Sequence, residues 1–189
     1  MKEIVYQNPW FQVEKEGNFH FVSENGSDRA AAILAMMGDK IALLEMKRPA
    51  QQYEMTLEIP RGGASGAETV QECALRELKE ETGYEASLDS IEFIGAIRPN
   101  TAILTSRINV FAALLPKGSL PIQERDDESV GLRWMTMMEI HSAICEGLIE
   151  DSFTLSALSL LNVHLGQRLF DQAVSAIRWL ALDDNDGDP

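Results

Sequence analysis

Residues 57–84 read Leu-Glu-Ile-Pro-Arg-Gly-Gly-Ala-Ser-Gly-Ala-Glu-Thr-Val-Gln-Glu-Cys-Ala-Leu-Arg-Glu-Leu-Lys-Glu-Glu-Thr-Gly-Tyr. The stretch begins as a strand that ends at its proline and continues as a loop rich in glycine. Thr69 followed three residues later by Glu72 is a capping box, which predicts where a helix begins. Gly83 suits the left-handed position that commonly ends a helix. The pattern therefore predicts a strand, a glycine loop and a helix over 69–82.

Three carboxylates of the predicted helix share one arc of its surface. On a wheel of about 100° per residue, the buried stripe is predicted at Ala74, Leu78 and Leu75, and the acids lie directly beside it. Like charges four residues apart repel unless something positive lies between them. One explanation is a solvated surface helix rich in Glu and Lys; the other is a divalent cation, and hard oxygen ligands suit Mg²⁺ or Mn²⁺. The three acids are Glu77, Glu80 and Glu81.

The spacing of this stretch follows a known motif. At about 7% usage per residue type, a chance match at seven fixed positions has a probability on the order of 10⁻⁸ per register. The chain therefore resembles the Nudix hydrolase superfamily. Glu58-Ile-Pro-Arg-Gly before the motif, Pro99, and Gly147-x-Ile-x-Asp-x-x-Thr154 after it are similar to the ADP-ribose pyrophosphatase branch. The residues of the Nudix box are Gly62-x5-Glu68-x7-Arg76-Glu77-Leu78-x-Glu80-Glu81-x-Gly83-Tyr84.

This resemblance implies both a fold and an activity. The fold would be α/β (α+β), an α/β/α sandwich in which the box helix packs under a mixed sheet. The activity would be divalent-metal-dependent hydrolysis of the pyrophosphate bond of a nucleoside diphosphate linked to another moiety, with ADP-ribose or a related nucleotide sugar expected first. Dinucleoside polyphosphates, GDP-mannose and coenzymes are alternative substrates. A non-catalytic Nudix module that senses nucleotide sugars is an alternative of a different class.

The resemblance also implies roles for residues of the box. Glu77 and Glu81 would be the main metal ligands, and Glu80 would contribute both as a ligand and as a catalytic residue. Arg76 would orient these carboxylates. Mg²⁺ is the expected cation, with Mn²⁺ as the alternative.

An acidic loop at 124–128 precedes a predicted strand and is the second candidate region. Proteins that resemble this chain place a glutamate in the corresponding loop, as a general base or as an extra metal ligand. Alignment on the following strand favours Glu128, with Asp127 and Glu124 as alternatives. A charged surface loop without a catalytic role is the remaining interpretation.

Three arginines adjoin prolines at predicted boundaries between strands and loops. Arginine suits bidentate contact with phosphate or carboxylate groups. We predict that the three bind substrate as a set, with a surface ion pair as the alternative for each. They are Arg48, Arg61 and Arg98.

The rest of the chain predicts further strands and helices. We expect a small N-terminal β extension at 1–29, a Nudix domain at 30–182 and an acidic tail at 183–189. Helices are expected at 137–146, 152–165 and 167–181, the last two separated by Gly166. Turn signals predict strands at Trp10–Val13, Asn18–Ser23, Ala30–Met37, Ile41–Met46, Tyr53–Ile59, Ile91–Ile97, Arg107–Leu115 and Val130–Met135.

Composition limits what the chain binds. Its 189 residues carry a formal net charge of −14, and 16 of the 30 acidic residues lie in 68–92, 124–128 and 183–188. No basic stripe for nucleic acid is present, and no run approaches the roughly 20 apolar residues that a membrane span needs. The N-terminus is polar and lacks a signal-peptide pattern. We therefore expect a cytoplasmic protein that binds neither nucleic acid nor membrane and that, by the resemblance, forms a homodimer.

Overall fold

The computed structural model describes the backbone of residues 1–183 and the side chains of residues 1–172. This part of the chain contains ten strands and three α-helices. The strands are β1 (Glu3–Gln7), β2 (Phe11–Glu16), β3 (Phe19–Glu24), β4 (Ala31–Met37), β5 (Lys40–Lys47), β6 (Met55–Glu58), β7 (Arg61–Gly62), β8 (Ile91–Ile97), β9 (Ile108–Leu114) and β10 (Gly131–Thr136). The helices are α1 (Val70–Thr82), α2 (Met137–Cys145) and α3 (Ser152–Asp183).

A mixed sheet forms the middle layer of the domain. Its strand order is β10-β5-β4-β9-β8, with β6 paired to β5 and β7 paired to β4. β4 and β9 are parallel, and the other pairs are antiparallel. Along β4, Ala31, Ile33 and Ala35 pack with α1, whereas Ala32 and Leu34 pack with α2 and α3. Helices cover both faces of the sheet, so the predicted α/β/α sandwich is confirmed.

The sheet divides at one end into a fork. β4 and β5 pair only through residues 36–37 and 40–41. Beyond this point β7 pairs with β4, and β6 pairs with β5. The connection 58–61 crosses between the two branches, and the N–H of Ile33 donates to the carbonyl of Pro60 at 2.9 Å. The glycine loop leaves this fork and leads directly into α1.

The box helix has the predicted ends. The side chain of Thr69 accepts the N–H of Glu72, and the Glu72 side chain accepts the N–H of Thr69. Gly83 has a φ of 77° and donates its N–H to the carbonyl of Lys79. The capping box and the left-handed stop are therefore confirmed, because both depend on local residues that the sequence displays.

At the C-terminal end the prediction was wrong. Two helices were expected, 152–165 and 167–181, but the structure has the single helix α3. A glycine costs about 1 kcal/mol inside a helix, yet it ends one chiefly where the backbone turns left-handed, and Gly166 has no positive φ. Gln167 and Asp171, one turn apart, are joined by a hydrogen bond of 2.9 Å.

The residues before β4 form a separate three-stranded sheet, β1-β2-β3. The strands predicted at Trp10–Val13 and Asn18–Ser23 are confirmed as β2 and β3, which turn at Gly17 with a φ of 60°. β1 was not predicted, because all five of its residues are exposed and show no alternating burial. The N–H of Val22 donates to the carbonyl of Ile103 at 2.7 Å, which fixes this sheet to the main domain.

Of the predicted acidic tail at 183–189, only Asp183 belongs to the described residues, and the others lie outside them. Within residues 1–183, none of the helices combines the length and the apolar character that a bilayer span requires.

Candidate active site

Two carboxylates of α1 are buried where the helix meets the fork. Glu77 is 8% exposed and Glu81 is 3% exposed. Glu81 accepts a hydrogen bond of 2.9 Å from the backbone N–H of Arg61. Burial raises the pKa of Glu77, and burial together with the charge of Glu77 raises the pKa of Glu81 to about 8. Two buried acids side by side form an arrangement that a cation would stabilise.

The glycine loop makes room for this pair. A Cβ added at Gly62 would collide with the carboxylate of Glu77. The backbone of the loop therefore lies against both acids, since the N–H of the preceding residue, Arg61, is bonded to Glu81. Only glycine permits this approach without displacing Glu77.

Glu80 is separated from the buried pair. Its side chain is 47% exposed and lies 2.8 Å from Arg76. The helical wheel placed Leu75 in the buried stripe, but Leu75 is only partly buried. The buried face is instead turned toward Glu77 and Glu81, because the fork and the glycine loop cover that side of the helix.

Arg76 binds the acids around the pair. Its guanidinium donates to Glu68 and Glu80, each at 2.8 Å, and to the carbonyl of Gly63 at 2.8 Å. It also lies 2.8 Å from Glu77. The hydrogen bond from Arg76 holds the pKa of Glu68 below its ordinary value. The guanidinium of Arg76 therefore joins the glycine loop to Glu68, Glu77 and Glu80.

Glu77 and Glu81 form a donor pair that suits a hard divalent cation, and the third predicted ligand, Glu80, stays a prediction. In the part of the chain that the structure describes, no three His, Cys, Asp or Glu side chains already form a metal cluster. The side chain of Glu80 lies 2.8 Å from Arg76, as does that of Glu77. Glu77 and Glu81 still offer several carboxylate oxygens, of which one accepts the Arg61 N–H. Such oxygens are the ligands that Mg²⁺ and Mn²⁺ prefer.

The acidic loop lies against the C-terminal end of α1. The N–H of Asp126 donates to the carbonyl of Glu80 at 2.9 Å, which satisfies one of the last carbonyls of the helix. After burial and the charge of Glu77, the charges of Asp126 and Glu128 also raise the pKa of Glu81. The loop therefore adds two acids to the surroundings of the buried pair.

Of the three loop acids predicted from the sequence, only Glu128 is placed in this way. Asp127 and Glu124 are exposed, and neither forms an ion pair with the side chains of residues 1–172. Asp126 was missed. No signal in the sequence separates Asp126 from Asp127, because the choice depends on how the loop turns against the helix.

Two of the three predicted arginines converge on one buried acid. Arg48 and Arg61 lie 3.1 Å and 3.0 Å from Oε2 of Glu58, and Oε1 of Glu58 accepts a hydrogen bond from the hydroxyl of Thr56 at 3.0 Å. Arg98 is exposed after β8 and forms no ion pair within the described side chains. Glu58 was not assigned a role from the sequence, although an acid between Leu57 and Ile59 in a strand is a usable signal.

A pocket of about 220 Å³ opens beside Arg61. The guanidinium of Arg61 lies 4.1 Å from the ring centroid of Phe153 and 3.6 Å from Asp151. Asp151 in turn accepts the N–H of Thr154 at 2.9 Å at the start of α3. The pocket thus combines a polar backbone loop with aromatic surface. Its lining includes Trp10, Glu24, Asn25, Arg61, Gly62 and Phe153.

Comparison with known families identifies this arrangement. The model of the NUDIX domain matches residues 26–154. The chain belongs to the Nudix family. The match spans the fork, the box helix, the acidic loop and the start of α3, and it leaves out Trp10, Glu24 and Asn25 of the pocket lining.

Two similar proteins extend the comparison. This Nudix chain is 31% identical to a methanol dehydrogenase activator of Bacillus methanolicus over 137 residues, which are 71% of this chain and 72% of the relative. A solved structure described as an ADP compounds hydrolase has a TM-score of 0.70 and 21% sequence identity, and covers 89% of this chain and 93% of that chain. At that identity the structural likeness shows the Nudix fold alone.

Proposed function

We propose that this Nudix protein hydrolyses the pyrophosphate bond of a nucleoside diphosphate linked to another moiety, with a divalent cation as cofactor. ADP-ribose or a related nucleotide sugar is the first expected substrate. The observation that carries the proposal is the buried pair Glu77 and Glu81 beside the glycine loop, with a mixed polar and aromatic pocket next to it.

The residues of the site suit this chemistry. Glu77 and Glu81 would hold the cation, with Mg²⁺ expected first and Mn²⁺ second. A divalent cation there would neutralise phosphate charge and activate water for attack on phosphorus. Glu128 would accept the proton of the attacking water, with Asp126 as the alternative, because both lie near the buried pair.

Substrate would occupy the pocket beside the fork. We expect the guanidinium of Arg61, which lines this pocket, to contact a phosphate oxygen. The rings of Trp10 and Phe153 offer apolar surface to a nucleoside. The structural relative named as an ADP compounds hydrolase supports an adenosine diphosphate derivative as the first choice. Substrate binding by Arg98 remains a proposal, and none of the contacts described for its side chain supports it.

The test is hydrolysis followed by identification of the products. Purified protein with Mg²⁺ should convert ADP-ribose to AMP and ribose 5-phosphate, and excess EDTA should stop the reaction until Mg²⁺ is restored. Glu81→Gln protein, purified in the same way, controls for a contaminating hydrolase. The same assay should be run on GDP-mannose, a dinucleoside polyphosphate and coenzyme A. If no nucleoside diphosphate derivative is hydrolysed with Mg²⁺ or Mn²⁺, the proposal is wrong.

One observation favours a second function. The curated relative at 31% identity is named as an activator of another enzyme, methanol dehydrogenase. A Nudix module that binds a nucleotide and acts on a partner enzyme would also use the pocket beside Arg61. Tight binding of ADP-ribose in the presence of Mg²⁺, without turnover, would favour this function over hydrolysis.

We further propose that the chain forms a homodimer through its N-terminal extension, residues 1–29. The β1-β2-β3 sheet exposes several large apolar side chains on a small structure, which is unusual for a surface that faces only water. Light scattering coupled to size exclusion should give twice the mass of one chain, and Val5→Lys should reduce it. The exposed side chains are Ile4, Val5, Tyr6, Trp10 and Phe19.

A further inference from the structure

Glu128 lies on a loop that is bound to the acidic end of α1. The N–H of Asp126, two residues before Glu128, donates to the carbonyl of Glu80 at 2.9 Å. The guanidinium of Arg76 on this helix is already shared by Glu68, Glu77 and Glu80. The side chain of Glu128 is 65% exposed, and its ion pair is formed with a residue of another element.

Arg48 is the cation that faces Glu128 from the opposite side. One nitrogen of its guanidinium, Nη2, lies 3.1 Å from Glu58, and the other, Nη1, lies 4.0 Å from Glu128. Glu58 is 4% exposed and is fixed further by Arg61 and Thr56. One end of the Arg48 guanidinium therefore contacts the fixed, buried Glu58, and the other end faces Glu128 on the surface loop.

The backbone of Arg48 is also held. Its carbonyl accepts the N–H of Gln51 at 3.0 Å and the N–H of Tyr53 at 3.1 Å. Gln52 and Tyr53 have φ values of 56° and 64°, a conformation that non-glycine residues adopt only when their surroundings enforce it. This turn fixes the point from which the Arg48 side chain extends.

We propose that Arg48 is a positioning residue that holds the loop acid Glu128 near the Glu77 and Glu81 pair, and that it does not bind substrate. The inference rests on the proposed function for its catalytic part. It replaces the role in substrate binding that the sequence suggested for Arg48. Arginine is required because its planar guanidinium reaches two acids at once, which a single ammonium group cannot do.

The kinetic consequence distinguishes the two roles. Loss of a substrate ligand raises KM, whereas loss of a residue that positions the proton acceptor lowers kcat and leaves KM nearly unchanged. We expect Arg48→Gln to lower kcat by about tenfold with KM within about twofold of wild type. Arg48→Lys should not restore kcat. An increase of KM without loss of kcat, or full activity of Arg48→Lys, would overturn the proposal.

A double-mutant cycle tests whether Arg48 acts through Glu128. Kinetics are measured for wild type, Arg48→Gln, Glu128→Gln and the double variant. If Arg48 acts only by positioning Glu128, the double variant should be within about twofold of Glu128→Gln alone. A further loss of about tenfold in the double variant means that the two effects are independent, and the proposal is then wrong.

A measurement without substrate separates this proposal from the proposed function. Hydrogen exchange of the amides of residues 126–130 should be several-fold faster in Arg48→Gln than in wild type, because the loop has lost its side-chain contact. Lys47→Gln is the matched control, since it removes one positive charge from the adjacent, exposed position. Unchanged exchange in Arg48→Gln overturns the proposal even if the enzyme is active. If wild type and Lys47→Gln both hydrolyse nothing while exchange rises as expected, the proposed function fails and the holding of the loop stands.

Discussion

Glu58 and Glu81 are buried to the same extent but have opposite surroundings. Both acids lie at the fork of the sheet, at 4% and 3% exposure. Glu58 is paired with two guanidinium groups and one hydroxyl. Glu81 accepts one backbone N–H, and its charged neighbours include Glu77 and the loop acids.

The difference shows that burial alone does not reveal what an acid does. A buried carboxylate with a full set of partners stabilises the fold and fixes those partners. A buried carboxylate among other acids raises the free energy of the metal-free protein, and a bound cation lowers it again. The charges of the neighbouring groups, and not the depth of burial, therefore distinguish the two acids. Glu58 fixes its arginines, and Glu81 belongs to the proposed metal site.

The largest expected effect is on catalysis at Glu81. If hydrolysis depends on a cation held by this pair, Glu81→Gln should lower kcat/KM by about 1,000-fold or more, since it removes a charged ligand. Steady-state kinetics with saturating Mg²⁺ measure this loss. Glu85→Gln is the matched control, because Glu85 is an exposed acid four residues further on, paired with Lys79 at the surface. A comparable loss in Glu85→Gln would show that general charge, and not the buried pair, matters.

The next effect is on stability, and it should have opposite signs at the two acids. Glu58→Gln leaves two guanidinium groups without their shared anion, so the free energy of unfolding should fall by about 2 kcal/mol. Glu81→Gln removes a buried charge from among other acids, so the metal-free protein should gain about 1 kcal/mol at pH 8. Urea denaturation in EDTA measures both. Equal destabilisation by the two substitutions would contradict the comparison.

The dependence of stability on pH provides a second test of the surroundings of Glu81. The pKa of Glu81 in the folded protein is raised to about 8 from an ordinary value of 4.5, so between these values the folded protein binds a proton that the unfolded chain has lost. The associated stabilisation is complete below about pH 4.5 and is lost as pH rises through about 8. Metal-free protein should therefore lose about 3 kcal/mol between pH 5 and 8 relative to Glu81→Gln.

Mg²⁺ should change this dependence of stability on pH, and denaturation curves can measure the change. Because the cation binds the deprotonated carboxylates, its stabilising effect should be larger at pH 8 than at pH 5. Thermal denaturation at the two pH values, with and without Mg²⁺, measures the difference. An Mg²⁺ effect that is larger at pH 5 would argue against Glu81 as a ligand.

The smallest expected effect is at the third partner of Glu58. Thr56→Val removes one hydroxyl donor at 3.0 Å and keeps the β-branched shape, so the free energy of unfolding should fall by about 1 kcal/mol. The ion pairs with Arg48 and Arg61 remain. Urea denaturation measures the loss, and kcat within about twofold of wild type would show that the arginines stay in place.

The sequence predicted those parts of the fold and site that depend on local signals. The capping box at Thr69, the stop at Gly83 and the continuous apolar run of β4 each display their structure within a few residues. The seven spaced positions of the box pointed to the family and to Glu77 and Glu81 together. These features are local because hydrogen bonds within a turn, or an uninterrupted apolar run in a strand buried on both faces, produce them.

The parts that the sequence did not predict depend on contacts between distant segments. Asp126 is near Glu81 only because the loop turns onto the end of α1, and Glu58 has two arginines only because the β5–β6 hairpin and the glycine loop meet at the fork. The sequence wrongly predicted a helix end at Gly166, because a glycine ends a helix only where its backbone adopts a left-handed conformation.

The fork has one consequence for how such a site can be built. A continuous sheet would engage the backbone of β7 on both edges with neighbouring strands, and no N–H would face the helix. Here β7 is only two residues long, and its Arg61 amide points to a carboxylate of α1. A sequence change that extended the β4–β5 pairing to the end of both strands would make a more regular sheet and would remove the site.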